Sequence, residues 1–294
     1  MHQDWLLPAN AESSVVANAY NEFGFVALRR MLTPSDVADL DAAYREGLSY
    51  GTIHPSLDEI ADNYDTIFRH PTFERYVRDP RILGHVRAII GKGIELQHVK
   101  FNAKPVSGGG EQPWHQDFPF FPHTNYDLLA VTLYLDDVDE NNGALRFLPG
   151  SHKGGELTHC DETGQFVYAC ADQTACSNHP YVLLEVPAGT VTIHHCFAVH
   201  SSGQVRDHRE RRLLIFQYRA DDAVQLAGVI WDSTGLEIAR ENPIRRARFP
   251  DGTTINLRGR SGRLVDVFGN LKPATPLPSV RSLRLDKKNR PDRS

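Results

Sequence analysis

Apolar positions in the first third of the chain recur at helical spacing. They repeat every three or four residues over 33–48, a segment that a capping threonine and a proline open. A similar repeat covers 79–91, which an Asp-Pro pair opens and a glycine closes. We therefore predict two helices in these segments, within a mostly helical support over about residues 1–93.

From about residue 94 the pattern changes to short apolar runs bounded by Gly, Pro, Asn and Asp. Such runs are typical of strands, and their spacing is typical of a jelly roll. We therefore predict a mainly β fold with flanking helices, a double-stranded β-helix of the cupin-like jelly-roll type, whose core spans about 94–220. A C-terminal extension follows over about 221–294, and the whole chain is expected to form a single domain, 1–294. The predicted strands are 94–103, 128–138, 144–149, 181–187, 190–200 and 211–220.

The charge balance and the cysteines exclude several classes of protein. The 294 residues carry 32 Lys and Arg against 37 Asp and Glu, a net charge of −5, without the basic excess that phosphate-backbone binding uses. No run reaches about 18 apolar residues, and the first residues lack a charged segment followed by an apolar one. We therefore expect no nucleic-acid partner, no membrane segment and a cytoplasmic location. The four cysteines form no CxxC pair and are expected to be reduced thiols.

A His-x-Asp motif formed by His115 and Asp117 is the strongest candidate for metal binding. On an extended strand, residues two apart face the same side, so the two side chains would point together. The pattern alone is weak, because 2–4 and 159–161 match it too. The first of these lies on a terminus, and the second begins only 41 residues before His200, against 85 for the motif at His115. We therefore predict that His115 and Asp117 are the ligands.

A third ligand is expected near the end of a strand in the distal half, where 190–200 contains three histidines. His194 and His195 are adjacent, so they face opposite sides of a strand, and we interpret both as hydrogen-bonded structural residues. His200 stands where the strand opens into a loop and is the predicted ligand. Two imidazoles and one carboxylate form the 2-His-1-carboxylate face that suits Fe(II) and leaves coordination positions open.

Arg211 follows eleven residues after His200 and begins an apolar strand. A guanidinium that projects inward from a strand is costly to bury unless a carboxylate meets it. Arg211 could therefore hold one end of a dicarboxylate whose other end chelates the metal. The remaining arginines of this stretch are expected on a solvated charged turn: Arg206, Arg209 and Arg212.

Several motifs stand in a fixed order across the predicted core. They are WHQD at 114–117, NNGALRFLPGSHK at 141–153, AGTVTIH at 188–194 and HSSGQ at 200–204, followed by Arg211. In these motifs the chain resembles the phytanoyl-CoA dioxygenase family of Fe(II)/2-oxoglutarate oxygenases. That family also contains ectoine hydroxylase and many tailoring enzymes of natural-product biosynthesis. The resemblance is close over about 95–220 and loose over the N-terminal helices.

The resemblance implies a role for each matching residue. It implies that the iron ligands are His115, Asp117 and His200. It further implies that the 2-oxoglutarate cosubstrate contacts four residues: Arg211 at its distal carboxylate, Ser202 beside Arg211, Thr132 on the strand after the iron motif and Asn102 on the strand before it.

The resemblance also implies an activity. The protein would consume O2 and 2-oxoglutarate at the iron, release succinate and CO2, and oxidise a C–H bond of a small-molecule metabolite. Hydroxylation is the default outcome, while desaturation, epoxidation and cyclisation use the same centre and stay open. Halogenation is disfavoured, because related halogenases replace the carboxylate ligand with a small residue and Asp117 keeps it.

A different function is open to the same fold. A cupin-like jelly roll can bind a metal without oxygen chemistry, as a sensor or an isomerase. Arg211 discriminates between the two functions, because a pure metal-binding module has no need for a buried arginine at that position.

Aromatic residues surround the iron motif and either line a pocket for the substrate or pack within the sheet. The period of a strand turns Trp114 away from His115, so it is the better candidate for the core. The whole set is Trp114, Phe118, Phe120, Phe121 and His123.

Overall fold

The computed structural model describes residues 3–50, 61–64, 70–106, 109–227, 236–241 and 245–257. The described residues up to Asn256 belong to one compact unit, and the part of the predicted C-terminal extension (about 221–294) that spans 258–294 lies outside the described residues. The helices are α1 Ser13–Phe23, α2 Pro34–Ser49, α3 Pro71–Val77, α4 Pro80–Ile90 and α5 Gln173–Asn178. The strands are β1 Leu6–Pro8, β2 Phe25–Arg29, β3 Ala61–Tyr64, β4 Ile94–Lys104, β5 Gln112–His115, β6 Leu128–Tyr134, β7 Leu145–Phe147, β8 Val182–Leu183, β9 Val191–His195, β10 His200–Ser202, β11 Arg211–Ala220, β12 Leu236–Ala239, β13 Arg246–Arg248 and β14 Thr254–Asn256.

The two helices predicted from the sequence, α2 and α4, are confirmed. Thr33 caps α2 by accepting the backbone N–H of Asp36, and the Asp36 carboxylate accepts the backbone N–H of Thr33 in return. Asp79 caps α4, and Gly91 follows its last residue. Among the helices of the described ranges, none is long and apolar enough to cross a membrane.

The first third of the chain also supplies strands, which the prediction of a helical support left out. β2 pairs antiparallel with β9, so that Phe25 opposes His194, and β1 pairs parallel with β2. A run of five residues between two helices does not reveal so distant a partner, because strand pairing is not a local property. The sheet also continues past the predicted end of the core at residue 220, since β12 pairs with β4.

The strands form two main sheets. The larger sheet has the order β1-β2-β9-β6-β11-β4-β12, with β3 also paired to β4, and the smaller has the order β5-β10-β7-β8. One face of the larger sheet packs on the helices, because Val191 and Ile193 of β9 share a buried cluster with Leu40 of α2. Its other face meets the smaller sheet, where Phe25 stacks on Phe147 at a ring-centroid distance of 4.5 Å. The mainly β, jelly-roll prediction is therefore confirmed.

The apolar run 190–200, predicted as one strand, contains two strands that belong to different sheets. β9 lies in the larger sheet and β10 in the smaller one, and residues 196–199 carry the chain between them. The run looks continuous in the sequence because the connection is as buried as the strands. As a result, His194 and His200 come from facing sheets and line the same interior space.

Candidate metal centre

His115 is the last residue of β5, and the strand does not continue to Asp117 as the sequence suggested. Asp117 has a helical backbone, with φ −73° and ψ −36°, and precedes a short 3-10 helix, Phe118–Phe120. Pro119 suits this turn, because its ring fixes φ and removes a donor that a strand would need. The side chains of His115 and Asp117 therefore converge through a bend in the chain rather than through strand alternation.

The ligand atoms of His115, Asp117 and His200 all lie within 4.8 Å of one another. His200 is the direct cross-strand partner of His115 in the β5–β10 pair, which brings the two ring centroids to 4.1 Å. The Asp117 carboxylate approaches from the adjoining turn, with Oδ1 3.8 Å from His200 Nε2. The structure thus brings together the three residues that the sequence analysis selected.

Both imidazoles are held in the form that a metal ligand needs. The Nδ1 atom of His115 lies 2.8 Å from the Pro113 carbonyl, and that of His200 lies 3.0 Å from the Ala198 carbonyl. Each Nδ1–H therefore donates to a backbone oxygen, which leaves Nε2 as the ligand atom. Burial lowers the pKa of His115 to about 4 and that of His200 well below its usual value, so both rings are neutral.

The second oxygen of the Asp117 carboxylate is held by two side chains of the larger sheet. His194 Nε2 lies 3.1 Å from Oδ2, and Gln217 Nε2 lies 3.3 Å from the same atom. His194 and Gln217 flank Ala130 in one cross-strand row of β9, β6 and β11. The small side chain of Ala130 leaves room for the carboxylate between them.

Asp117 is ionised in this setting. Burial is the largest single effect and raises the pKa of the carboxyl group, but the hydrogen bond with His194 and the electrostatic interactions with His200, His194 and His115 together lower it by more. The net result is a pKa well below the usual value for aspartate. One anionic oxygen therefore faces His115 and His200 while the other is fixed by hydrogen bonds.

The position of His194 at this centre was not predicted, since His194 and His195 were both interpreted as structural residues. A signal in the strand does distinguish them: Val191 and Ile193 are its apolar residues and face the helices, so by alternation His194 faces the interior. His195 lies on the other face, where its ring contacts those of Tyr20 and His152.

Arg211 lies in the same interior space, at the start of β11, and is almost completely buried. Its Nη2 atom donates to Asn102 Oδ1 at 2.5 Å, across from β4. Ser202 lies on β10, two residues after His200. Arg211, Asn102, Ser202 and His200 all line one cavity. Three of the four predicted cosubstrate residues therefore face the same space as the candidate metal ligands.

Arg212 is not on a solvated turn, and that prediction was wrong. It is buried, and its guanidinium forms ion pairs with Asp136 and Asp41. Arg212 follows Arg211 directly, so its side chain lies on the opposite face of β11. There two acidic partners, one of them on α2, compensate the buried charge. Arg209 does lie at the surface, paired with Asp139.

The cavity between the sheets has a volume of about 230 Å³. Strands β4 and β11 form one wall, strands β5 and β10 form another, and Phe120, Phe121 and Tyr168 line it from the segments between strands. Thr132, the fourth predicted cosubstrate residue, is buried on β6 opposite Thr192 and is not among the residues that line this cavity.

The other aromatic residues of the iron motif pack rather than line the cavity. Trp114 is buried with Cys170 and Cys176, two of the four free cysteines, as expected for a core residue. Phe118 packs on Phe197, and His123 bonds to the side chain of Gln97.

The second His-x-Asp motif, 159–161, supports the first one from outside the cavity. His159 Nε2 accepts a hydrogen bond of 3.0 Å from the backbone N–H of Gln116, the residue that stands between the two candidate ligands in the sequence. Asp161 is exposed and bonds within its own turn, to Thr163. The third match, 2–4, begins outside the described residues.

Two neutral imidazoles and one carboxylate inside a two-sheet barrel define the class of mononuclear 2-His-1-carboxylate metal sites. Comparison with known proteins identifies the family within that class. The family model for phytanoyl-CoA dioxygenase (PhyH) matches residues 20–213, so the chain belongs to this family.

Similar proteins carry related names. The probable alpha-ketoglutarate-dependent hypophosphite dioxygenase of Stutzerimonas stutzeri is 42% identical over 156 residues, which cover 52% of this chain and 54% of the relative. The ectoine dioxygenase of Streptomyces coelicolor is 28% identical over 148 residues, 46% of this chain and 49% of the relative. The chain thus spans about half the length of these curated relatives. The crystal structure of SnoK, a non-heme alpha-ketoglutarate-dependent carbocyclase from nogalamycin biosynthesis, shares the fold, with a TM-score of 0.63 and 24% identity over 72% of this chain and 85% of SnoK.

Proposed function

We propose that the protein is an Fe(II)/2-oxoglutarate-dependent dioxygenase that oxidises, by default hydroxylates, a C–H bond of a small-molecule metabolite. One observation carries the proposal: a three-residue metal face and a buried arginine line a single cavity. The metal face alone would suit many metalloproteins. A guanidinium in the same cavity adds a group that can hold one carboxylate of a dicarboxylate such as 2-oxoglutarate through two parallel hydrogen bonds.

His115, Asp117 and His200 fit a ferrous ion by the chemistry of their donor atoms. When bound, Fe(II) supplies the activation of O2 that is coupled to conversion of 2-oxoglutarate into succinate and CO2. The protein's own part is to keep both imidazoles neutral, to aim one oxygen of Asp117 at the metal, and to leave the remaining coordination positions open. Burial of the face between two sheets limits the access of water.

Arg211 is the proposed anchor for the distal carboxylate of 2-oxoglutarate, with Asn102 and Ser202 beside it. Asn102 Oδ1 accepts from one nitrogen of the guanidinium and so fixes the orientation of its plane. The bidentate geometry of a guanidinium matches a carboxylate, which favours arginine over lysine at this position.

The cavity indicates a small substrate. About 230 Å³ must accommodate both the cosubstrate and the reacting part of the substrate, which is little space compared with ordinary ligand pockets of roughly 300–1,000 Å³. Two relatives are named for small molecules, hypophosphite and ectoine, and substrates of that size would suit a cavity of this volume. The alternative, a cupin-like metal-binding sensor or isomerase, gives no reason for the buried Arg211.

Two measurements test the proposal. Under anaerobic conditions, addition of Fe(II) and 2-oxoglutarate should produce the weak visible charge-transfer band of the chelate. In air, succinate release should depend on the added compound in a panel that begins with hypophosphite and ectoine, and mass analysis should find a gain of one oxygen or a loss of two hydrogens in an organic substrate. A well-folded protein that gives no band would instead support the metal-binding alternative.

His194 is expected to act as a positioning residue for Asp117. His194→Leu removes one of the two hydrogen bonds to Oδ2, and the affinity for Co(II), followed by its visible absorption, should fall by about 10–100-fold, the usual cost of losing such a supporting bond. His194→Gln can still donate and should recover most of the affinity.

His195→Leu is the matched control for His194, because the two residues are adjacent and face opposite sides of β9. It should leave the Co(II) affinity unchanged. Equal Co(II) affinities for His194→Leu and the unmodified protein would remove the positioning role.

A further inference from the structure

Gln116, the middle residue of the His-x-Asp motif, is completely buried and makes four hydrogen bonds. Its backbone N–H donates to His159. The side-chain Nε2 donates to the carbonyl oxygens of Gly155 and Phe197, each at 2.8 Å, and Oε1 accepts the backbone N–H of Leu157 at 2.7 Å. Both hydrogens of the amide group are thus used, and each bond joins it to the backbone of a different part of the chain.

One of these bonds joins the motif to the connection that leads into His200, the third candidate ligand. That connection, residues 196–199, carries the chain from β9 to β10. The carbonyl of Phe197 lies within it, so the Gln116 amide holds the backbone three residues before His200. Since the motif itself carries the other two candidate ligands, one side chain connects the backbone segments of all three.

The other two bonds join the motif to a segment that lines the cavity. We call residues 155–171 the wall segment, because Tyr168 within it lines the cavity. Gly155 and Leu157, at the start of the wall segment, are the remaining partners of the Gln116 side chain. The wall segment and the candidate metal face are therefore linked through one buried amide.

The link to the connection should be costly to lose. The hydrogen bond between Gln116 and the Phe197 carbonyl is buried, and a buried polar group that loses its partner destabilises the arrangement around it. Without the amide, the connection would shift towards another donor, and His200 would shift with it. A metal site tolerates little of this, because its ligands must stay within about 0.5 Å of the productive geometry.

We propose that Gln116 is a positioning residue of the metal centre, whose side-chain amide holds the His-x-Asp motif, the connection before His200 and the wall segment in one arrangement. The inference rests on the proposed function, since it takes His115, Asp117 and His200 as the metal ligands. Gln116 itself points away from the metal face and acts only through the segments that it holds.

Gln116→Met tests the proposal, because methionine has nearly the length and volume of glutamine and forms none of the three side-chain hydrogen bonds. We expect the affinity for Co(II), followed by its visible absorption, to fall by about 10–100-fold, the usual cost of losing a supporting residue. The matched control is Gln97→Met, at a glutamine that is equally buried but bonds to His123 and Gln225. Both variants lose buried hydrogen bonds and should unfold at a lower temperature, but Gln97→Met should keep the Co(II) affinity of the unmodified protein.

Hydrogen–deuterium exchange of the unmodified protein tests the same link without a substitution. The backbone N–H of Leu157 donates to the Gln116 side chain, although Leu157 itself is exposed. An opening that releases Gln116 should also release a bound metal, so saturating Co(II) should slow exchange in a peptide that covers 155–159 by about tenfold or more. The exposed turn 161–165, in the same wall segment, should exchange at an unchanged rate.

Three outcomes would overturn the inference. The first is a folded Gln116→Met variant with the Co(II) affinity of the unmodified protein. The second is an equal loss of affinity in Gln97→Met, which would reduce the effect to general stability. The third is exchange in 155–159 that does not respond to Co(II). Failure of the proposed function is seen separately, as absence of the visible band with Fe(II) and 2-oxoglutarate, because these tests require only that Co(II) binds.

Discussion

Asp117→Ala is expected to abolish iron-dependent succinate release and to weaken Co(II) binding by more than the roughly 10–100-fold that loss of a supporting hydrogen bond costs. The change removes the anionic ligand between two neutral imidazoles, and it also leaves His194 and Gln217 without the carboxylate oxygen that both contact. Neutral ligands alone hold a divalent cation less strongly, because no charge opposes that of the ion. Co(II) titration reports the metal site, and succinate release reports turnover.

The second His-x-Asp motif supplies the control for Asp117. Asp161→Ala alters the same type of motif at an exposed turn outside the cavity and should leave both Co(II) affinity and turnover unchanged. Full activity in Asp117→Ala, or loss of metal binding in Asp161→Ala, would place the metal elsewhere in the molecule.

Arg211→Ala is expected to raise the concentration of 2-oxoglutarate needed for half-maximal succinate release by on the order of 100-fold. Truncation of one partner in a buried, hydrogen-bonded charge pair costs about 2–5 kcal/mol, and roughly 1.4 kcal/mol corresponds to tenfold. Arg211 is almost wholly buried, so water cannot replace it at the distal carboxylate. Turnover at saturating 2-oxoglutarate should fall much less, since the metal ligands are untouched.

Arg212→Ala tests whether the effect belongs to the cavity or to the strand. Arg212 is the next residue of β11, but its guanidinium pairs with Asp136 and Asp41 on the other face. We expect this variant to unfold at a lower temperature while its 2-oxoglutarate requirement stays unchanged. If both variants raised the requirement equally, Arg211 would have no specific role in cosubstrate binding.

Changes at Asp117 and at Arg211 are expected to have different effects because the two residues lie at opposite ends of the cavity. The two hydrogen-bond partners of Asp117, His194 and Gln217, lie in one cross-strand row, and Arg211 begins the strand of Gln217, β11, six residues earlier. A change at the metal end should therefore alter Co(II) binding without altering the arginine. A change at the arginine end should alter the 2-oxoglutarate requirement and leave the Co(II) affinity unchanged.

Local patterns were sufficient for much of the secondary structure. The capping residues and apolar spacing of α2 and α4 determine where those helices begin, because the hydrogen bonds concerned join residues only two to four apart. The strand runs were located in the same way. β2 was missed because a run of five residues carries little periodic information and its partner β9 lies at the far end of the core.

In the candidate site, too, some features followed from the sequence and others only from the tertiary structure. The sequence by itself determined the candidate residues: His115, Asp117, His200 and Arg211 stand out by residue type, spacing and order. Only the tertiary structure decided what surrounds them, including His194 on the Asp117 carboxylate and Thr132 outside the cavity wall. The physical reason is that these neighbours belong to strands that meet through sheet pairing and sheet packing, and such contacts depend on the register between distant segments rather than on the pattern within any one of them.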